Sequence, residues 1–322
     1  MPSEPWFPFP NGKRFAFTIL DDTDVATVEN VSPVYDLLHR LGMGATKTVW
    51  PVSSPEGSRD FSSSETLEDP QYRQFVRGLV ERGFEITWHG ATMESSTRER
   101  TFAALREYFD VLGSYPRIHV NHAGNRENLY WGAARLDSSL IRMLVGRFKQ
   151  AAESSFEGHV ESSPYWWGDL CARYITYARN LTTTDVNTAR FNPSMPYRDP
   201  RRPLVPWWFS ASDADDVDEF NALLHPKNQE RLERVGGFCI VATHFGKRFA
   251  ETGAVNPTTE ALLTALARRR GWFPSTGQLL DWLRARREVD QSHGLLPAGE
   301  WRRMQWRWGL DRCLRQLRRW RR

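Results

Sequence analysis

Residues 15–24 read Phe-Ala-Phe-Thr-Ile-Leu-Asp-Asp-Thr-Asp, and the interpretation of the whole chain starts from this stretch. Its first six residues are apolar or β-branched, which predicts a buried strand. The strand ends on three carboxylates, those of Asp21, Asp22 and Asp24. In α/β barrels and open α/β sheets, side chains at the carboxyl ends of the strands form the site. We therefore expect these acids to face a cleft.

The composition predicts one large domain in a reducing compartment. The chain has 322 residues and 40% hydrophobic content, enough for a full core. Its three cysteines, Cys171, Cys239 and Cys313, are too few and too scattered for a disulfide framework. The proline-rich N-terminus does not resemble a signal sequence, and no apolar run reaches transmembrane length. We expect a cytoplasmic protein.

The positive charge is concentrated at the C-terminus. The formal net charge is +4, yet residues 301–322 alone contain nine Arg and one Asp, a net of +8. Residues 1–300 hold 34 basic and 38 acidic residues, a net of −4. The basic character therefore says little about what the main domain binds.

Strands and helices alternate along the first half of the chain. Hydrophobic periodicity predicts helices at 26–41, 71–82 and 97–112, and short connections favour a parallel α/β architecture. Residues 51–68 form a long loop that is a candidate lid. In the second half we expect a helix at 133–148, a proline-rich loop at 192–206, and helices at 258–270 and 276–287. The predicted strands lie at 15–21, 45–49, 84–88, 117–121, 174–181, 205–209 and 238–243.

Four of these strands end on residues that carry acid–base chemistry. Asp21 and Asp22 follow the first, and His89, His122 and His244 follow three others. Parallel strands deliver such residues to one rim, and a mixed Asp/His set suits Zn²⁺ with an open position for water. The remaining histidines are interpreted as structural; they are His39, His159, His225 and His293.

Three motifs resemble those of the polysaccharide deacetylase family (carbohydrate esterase family 4, the NodB homology domain). Leu20-Asp-Asp-Thr23 resembles its Phe-Asp-Asp-Gly motif, and Gly83-Phe-Glu-Ile-Thr-Trp-His89 resembles its Gly-His-Glu-Ile-Gly-Asn-His motif. Cys239-Ile-Val-Ala-Thr-His244 resembles the strand that ends on the family's catalytic histidine. The resemblance spans about residues 14–287 and implies a distorted (β/α) barrel.

The resemblance also implies an activity, the hydrolysis of a linear amide that removes an N-acyl group, typically N-acetyl, from a sugar. In this interpretation Asp21 is the general base, Asp22 and His89 bind the metal, and His244 is the general acid. The expected cofactor is a divalent metal, Zn²⁺ first, with Co²⁺, Ni²⁺ or Mn²⁺ as alternatives. The expected partner is a glycan or another sugar-containing substrate.

The chain departs from the family at the third metal ligand, where Met93 stands in place of a histidine. A thioether is a poor ligand for Zn²⁺. His122 is our first candidate for the missing ligand and Glu94 the second. Strand alternation turns His119 away from His122.

Further residues are assigned to substrate binding or to support of the site. Arg126 is a candidate partner of Asp21, although a solvated loop arginine explains it as well. Asp213 matches the family's later acidic motif, although residues 213–216 also suit the N-cap of the following helix. The full set is Asp24, Trp88, Asn125, Arg126, Trp131, Trp167, Asp169 and Asp213.

Softer motifs resemble the WbmS-like branch of this family, which is associated with surface-polysaccharide biosynthesis. They are His244-Phe-Gly-Lys247, Tyr165-Trp-Trp-Gly-Asp169 and Asn121-His-Ala-Gly-Asn125. This branch implies a glycan precursor as the substrate.

The C-terminus has the pattern of a basic amphipathic helix. An apolar stripe with arginine on the other positions is typical of helices that lie on anionic membranes. A helix packed on the barrel and a nucleic-acid-binding tail are alternatives, the latter disfavoured by the defined apolar stripe. The stripe consists of Trp306, Leu310, Cys313, Leu314, Leu317 and Trp320. We divide the chain into an extension (1–14), a barrel (15–290) and a tail (291–322), and expect a protein peripheral to the inner face of the membrane.

Two other functions remain open from the sequence. One is a glycan-binding or scaffold protein that keeps the barrel without turnover, which Met93 favours. The other is a glycosidase, which needs two carboxylates across a cleft. Asp21 with Asp213 or Asp216 could supply them.

Overall fold

A closed barrel of seven parallel strands forms the centre of the molecule. The computed structural model describes residues 7–58, 64–145, 156–288 and 293–320. Strands β1 to β7 are hydrogen-bonded in chain order, and β7 pairs with β1 to close the barrel. They are β1 (Phe15–Asp21), β2 (Ala45–Val49), β3 (Glu85–Trp88), β4 (Ile118–His119), β5 (Tyr177–Thr183), β6 (Trp207–Asp213) and β7 (Phe238–Thr243).

Shorter strands and the helices surround this barrel. A small hairpin joins β8 (Ala250–Glu251) to β9 (Ala254–Val255), and β10 (Gly271–Trp272) pairs with the start of β1. Short 3-10 turns lie at Pro10–Gly12 and Gly132–Arg135. The helices are α1 (Val28–Arg40), α2 (Pro70–Glu81), α3 (Arg98–Leu112), α4 (Ser139–Val145), α5 (Gly168–Tyr174), α6 (Thr188–Phe191), α7 (Val217–Leu223), α8 (Pro226–Val235), α9 (Pro257–Ala267), α10 (Thr276–Glu288) and α11 (Ala298–Trp320).

Strand β1 is buried on both sides, as its continuous apolar sequence predicts. Phe15, Phe17 and Ile19 pack in the same core cluster as the apolar residues of α1. Ala16 and Leu20 belong to a second cluster. Because side chains alternate along a strand, Asp21 and Asp22 leave β1 on opposite sides.

The predicted (β/α) barrel is confirmed, and the main differences lie at element boundaries. Helix α1 begins at Val28, two residues later than predicted, because the Thr27 hydroxyl accepts from the Asn30 backbone N–H and caps the helix. The helix predicted at 133–148 is a 3-10 turn at 132–135 followed by α4, and residues 146–148 of that prediction lie outside the described residues. The candidate lid at 51–68 has no helix or strand in its described part.

The C-terminal helix α11 packs against the barrel. Trp301, Met304 and Trp308 are buried, and the side chain of Gln305 accepts from the backbone N–H groups of Asp137 and Ser138. The first half of α11 is therefore a packed helix. Cys313 is half-buried, while the side chains of Leu314, Leu317 and Trp320 lie outside the described part of the chain. Within the described residues no helix is both long and apolar enough to cross a bilayer.

Candidate active site

A polar cleft of about 350 Å³ opens at the carboxyl ends of the strands. Its residues follow strands that are far apart in sequence but adjacent in the closed barrel. It is lined by Asp22, Asp24, His89, Asn121, His122, Ala123, Trp131, Arg135, Arg179, Asn180, Thr182, Asp213, Asp215, Ala242, His244, Lys247 and Arg312.

Asp24 is the residue on which three histidines converge. The Nε2 atom of His89 lies 3.3 Å from Asp24 Oδ1. The Nε2 atoms of His122 and His244 lie 3.6 Å and 3.4 Å from Oδ2. The three histidines predicted from separate strand ends are thus gathered around one carboxylate.

Each histidine is oriented by a hydrogen bond at its other nitrogen. His89 Nδ1 lies 2.9 Å from the Val120 carbonyl, and His244 Nδ1 lies 2.8 Å from the Asp215 carbonyl. His122 Nδ1 lies 3.0 Å from the side-chain oxygen of Asn125. These partners are acceptors, so Nδ1 carries a proton in each ring, and Nε2 is the nitrogen that faces Asp24.

Asp24 and the histidines around it shift each other's pKa values. Burial alone would raise the pKa of Asp24, but the close approach of His122, His244 and His89 holds it well below its usual range. Burial lowers the pKa of His244, but the hydrogen bond to Asp24 and the charges of Asp22 and Asp24 outweigh it and raise the pKa to about 9. The pKa of His122 is raised for a similar reason, burial being outweighed by Asp24. Ring protons or a bound metal ion could supply the positive charge.

The donor chemistry of the cluster fits a divalent metal. No group of three or more His, Cys, Asp or Glu in the described residues is gathered closely enough to form a ready-made ion site. Nevertheless, ligands of a tetrahedral Zn²⁺ ion with bonds of 2.0–2.2 Å stand roughly 3.3–3.6 Å apart. The three distances to Asp24 lie in this range. A hydrogen-bond acceptor on Nδ1 is also usual for histidines that bind metal through Nε2.

Asp22 lies beside this cluster and is held by an arginine from the opposite wall. Its carboxylate accepts two hydrogen bonds from Arg179, at 3.1 Å and 2.6 Å. Its Oδ2 atom is 3.9 Å from His244 Nε2. Asp24, and not the Asp22 predicted from the sequence, is therefore the carboxylate that all three histidines approach, while Asp22 is oriented by Arg179.

Asp21 lies outside the cleft, which corrects its assignment as general base. Its Oδ2 atom accepts from the Tyr35 hydroxyl at 2.9 Å and from Lys47 Nζ at 3.0 Å. Its Oδ1 atom accepts from the backbone N–H of Phe245 at 2.8 Å. Both Asp21 and Lys47 are completely buried. Asp21 therefore joins β1 to β2, α1 and the segment after β7.

The structure also places four predicted substrate-binding residues away from the cleft. Trp88 and Trp167 lie in the core with their rings 5.5 Å apart. The other two are in surface ion pairs: Arg126 is 2.7 Å from Glu157, not paired with Asp21, and Asp169 is 2.6 Å from Arg98.

The other predicted residues have varied positions. Trp131 and Asp213 line the cleft, and Asn125 orients His122 as described above. His119 lies in the core against Trp167, as strand alternation predicts. Asp216 caps α7 by accepting from Asp218 and Glu219, so a glycosidase pair of Asp21 with Asp216 has neither member in the cleft.

Sequence reasoning missed several basic residues of the cleft. Arg179 lies inside β5, where an arginine among apolar strand residues was the available signal. Arg135 and Arg312 come from the 3-10 turn before α4 and from α11. The loop positions Asp215 and Lys247 pair with each other at 2.9 Å. No sequence signal connects these distant segments.

Solved structures with the same architecture support the class of fold. A protein assigned as a polysaccharide deacetylase from Mycobacterium smegmatis has 12% identity and a TM-score of 0.55, with 91% of this chain and 95% of that chain covered. A similarly assigned protein from Pseudomonas aeruginosa PAO1 has 12% identity and a TM-score of 0.52, with 89% and 96% covered. No family model and no curated protein matches the sequence. The chain thus has the NodB-type (β/α) barrel of polysaccharide deacetylases.

Proposed function

We propose that this protein is a metal-dependent hydrolase that removes an N-acyl group from a sugar. The observation that carries the proposal is the convergence of His89, His122 and His244 on Asp24, beside a carboxylate held by Arg179. The fold shared with polysaccharide deacetylases supports a glycan as the substrate class. Asp24, His89 and His122 would hold the metal, Zn²⁺ being the ion that this donor set suits.

Asp22 is the proposed general base. Its two hydrogen bonds from Arg179 fix the direction of the carboxylate, and its inward position exposes it to the cleft. It takes a proton from the water that adds to the acyl carbon. A bound divalent ion would polarise the acyl carbonyl and lower the pKa of that water.

His244 is the proposed general acid. In the metal-free protein burial lowers the pKa of His244, but the contact with Asp24 and the charge of Asp22 outweigh it and raise the pKa to about 9. The charge of Asp22 would continue to favour the protonated ring when Asp24 holds the metal. The Asp215 carbonyl fixes Nδ1, so the proton on Nε2 faces the cleft. His244 gives this proton to the sugar nitrogen as the carbon–nitrogen bond breaks, because an unprotonated amide ion is a very poor leaving group. The products are a free carboxylic acid and an amino sugar.

Elemental analysis and acetate release together test these roles. Purified wild type supplemented with Zn²⁺ should hold about one metal ion per chain and release acetate from members of a panel of neutral and anionic N-acetylated sugars. Asp24→Asn and His89→Ala should lose the metal. Asp22→Asn and His244→Ala should keep the metal and lose at least about 100-fold in kcat, the usual scale for removal of a general acid or base.

Two results would overturn the proposal. One is wild type that binds no divalent metal after supplementation, or releases no acetate from any sugar of the panel. The other is Asp24→Asn that retains metal while Asp22→Asn loses it, which would return the ligand role to Asp22. Asp169→Asn, at a surface ion pair with Arg98 away from the cleft, serves as the control, with metal content expected to equal that of wild type.

We also propose that the protein acts at a membrane surface on a precursor of a surface polysaccharide. Motifs similar to the WbmS-like branch support the pathway. Support for the location comes from Trp306 and Leu310, which are 43% and 59% exposed, one turn apart on the arginine-rich helix α11. Exposed Trp and Leu beside basic residues favour anionic lipid.

Flotation with anionic and neutral liposomes tests the membrane proposal. Wild type should float only with anionic vesicles, and a Trp306→Ser/Leu310→Ser variant should remain in the soluble fraction. The matched control is Phe102→Ser/Phe109→Ser, which removes two similarly exposed apolar residues from α3. Removal of the whole helix is unsuitable because α11 packs on the barrel. Equal flotation of wild type and the α11 variant would contradict the proposal.

A further inference from the structure

Arg135 is a buried arginine that faces the candidate active site. It ends the 3-10 turn Gly132–Arg135, is 8% exposed, and lines the same cleft as the Asp24 cluster. Its guanidinium carbon lies 3.8 Å from the ring centre of Trp131 and 4.7 Å from that of Trp308. Indole rings hold a planar guanidinium through cation–π contacts and leave its N–H edge free for a ligand.

The guanidinium of Arg135 has no direct ion-pair partner in the described part of the chain. No ion pair or hydrogen bond of Arg135 occurs among the described residues, and its Nε atom is buried without a partner. Other buried arginines are paired: Arg179 with Asp22, and Arg202 with Asp199. An unpaired buried charge is unfavourable, so a site of this kind is expected to receive an anion.

Two further arginines, Arg312 and Arg179, lie close enough to Arg135 to act on its charge. Burial, together with the nearby charges of Arg312 and Arg179, lowers the pKa of Arg135 to about 9. The acid in this region is Asp213, and its Oδ2 atom is already engaged by Arg312 at 3.6 Å and by the Thr182 hydroxyl at 3.4 Å. The wall of the cleft at Arg135 is therefore basic, and the same cleft holds Asp22 and Asp24.

We propose that Arg135, assisted by Arg312, binds an anionic group of the substrate, either a carboxylate or a phosphate. The five N–H donors of a guanidinium match the paired oxygens of both groups. The inference rests on the proposed function, in which the N-acyl group of the same substrate lies at Asp24 and the histidines. The substrate class is then an acidic N-acyl sugar, a uronic acid or a sugar phosphate, in place of a neutral glycan.

Binding of simple sugars without an acyl group tests the anion site independently of hydrolysis. The probes are glucose 1-phosphate, glucuronate and glucose, titrated calorimetrically into the full-length protein with Zn²⁺ present. At least one anionic probe should bind at least ten-fold more tightly than glucose, and the better of the two identifies phosphate or carboxylate as the group recognised.

Variants of Arg135 test whether this residue causes the preference for the anionic probes over glucose. Arg135→Gln should reduce the preference to less than three-fold, and Arg135→Lys should recover part of it because the charge remains without the planar fork. Arg40→Gln, which removes an exposed charge on α1, should leave the preference intact. An anion bound elsewhere in the cleft, for example at the metal, would keep its preference in folded Arg135→Gln and overturn the inference.

Equal binding of the three probes to the wild type would also overturn the inference. This comparison does not depend on the folding of any variant. Acetate release from N-acetylglucosamine 1-phosphate and from N-acetylglucosamine separates this inference from the proposed function. Anion preference without any acetate release would reject the deacylase and leave the anion site standing. Acetate release without anion preference would reject only the anion site.

Discussion

At the scale of single residues, the two adjacent acids at the end of β1 have different surroundings. Asp21 is enclosed by Tyr35, Lys47 and the Phe245 amide, whereas Asp22 faces the cleft and Arg179. A buried ion pair such as Lys47–Asp21 contributes little net stability, but removal of one partner leaves an uncompensated charge. Substitutions at the buried Asp21 pair should therefore change mainly the stability of the fold. Substitution of Asp22 should change mainly the chemistry in the cleft.

Replacement of Lys47 should destabilise the protein by about 3–5 kcal/mol, because Asp21 would remain buried and charged. The midpoint of urea unfolding for Lys47→Met measures the effect. Combination with Asp21→Asn removes the charge and should recover about 1–2 kcal/mol of that loss. A double variant less stable than Lys47→Met would show that the pair is not the source of the effect.

His119 should make the stability depend on pH. Burial is the main cause that lowers its pKa to about 3 in the folded protein, compared with about 6.5 in an unfolded chain. Below pH 6.5 the unfolded chain takes up a proton that the folded protein refuses, so stability is full above pH 6.5 and falls toward pH 3. The expected slope is up to about 1.4 kcal/mol per pH unit.

Unfolding of wild type and His119→Gln between pH 7.5 and 4.5 measures this contribution. The glutamine amide can replace the hydrogen bond from Nε2 to Asn121 without taking up a proton. The deficit of the variant relative to wild type should therefore shrink as the pH falls. Parallel curves at all pH values would contradict the prediction.

At the scale of elements, the turn after β1 places Asp24 against the segment after β7. Val25 adopts a positive φ of 53°, unusual for a β-branched residue, and its carbonyl accepts from the Asn30 side chain. Gly246 packs on this turn so closely that an added Cβ would lie 2.6 Å from the Val25 carbonyl oxygen. The absence of a side chain at Gly246 thus sets the distance between Asp24 and His244.

Gly246→Ala should move the turn and impair the site. We expect a loss of about 1–3 kcal/mol in stability from overpacking against backbone, and a 10- to 100-fold loss in metal affinity. Thermal unfolding and zinc titration measure the two effects. Gly78→Ala in α2 is the control, since its Cβ meets no atom within 4 Å, and it should be neutral or stabilising by up to about 1 kcal/mol. A metal affinity equal to that of wild type would contradict the role of Gly246.

At the scale of the whole molecule, closure of the barrel assembles the site. The pairing of β7 with β1 brings His244 beside Asp22 and Asp24, across more than two-thirds of the chain. The C-terminal helix completes the wall with Arg312 and supports Arg135 through Trp308. Because the proposed ligands come from three strand ends, metal binding should stabilise the folded barrel as one unit.

Zn²⁺ should raise the unfolding temperature of the wild type, and chelation should lower it. A free metal concentration 100 times the dissociation constant adds about 2.7 kcal/mol to the stability. Differential scanning calorimetry of wild type and Asp24→Asn, with and without Zn²⁺, measures the shift. The variant should show no shift, and a similar increase in both proteins would indicate binding at another site.

The strand ends were predictable because their signal is local. His89, His122 and His244 each follow an apolar stretch, and parallel strands bring such ends to one rim. The family resemblance added the barrel type. Because successive side chains of a strand point to opposite sides, the sequence also predicts that Asp21 and Asp22 point in opposite directions. It does not say which side faces the cleft.

The sequence by itself determined the alternating architecture, the buried strand β1 and the histidines at the strand ends, because hydrophobic periodicity depends only on neighbouring residues. Only the tertiary structure decided that Asp24 meets the histidines, that Arg179 holds Asp22, and that Arg135 lies in the cleft without an ion pair to any described residue. These contacts join segments up to about 220 residues apart. Their partners are chosen by barrel closure and helix packing, which local sequence patterns do not encode.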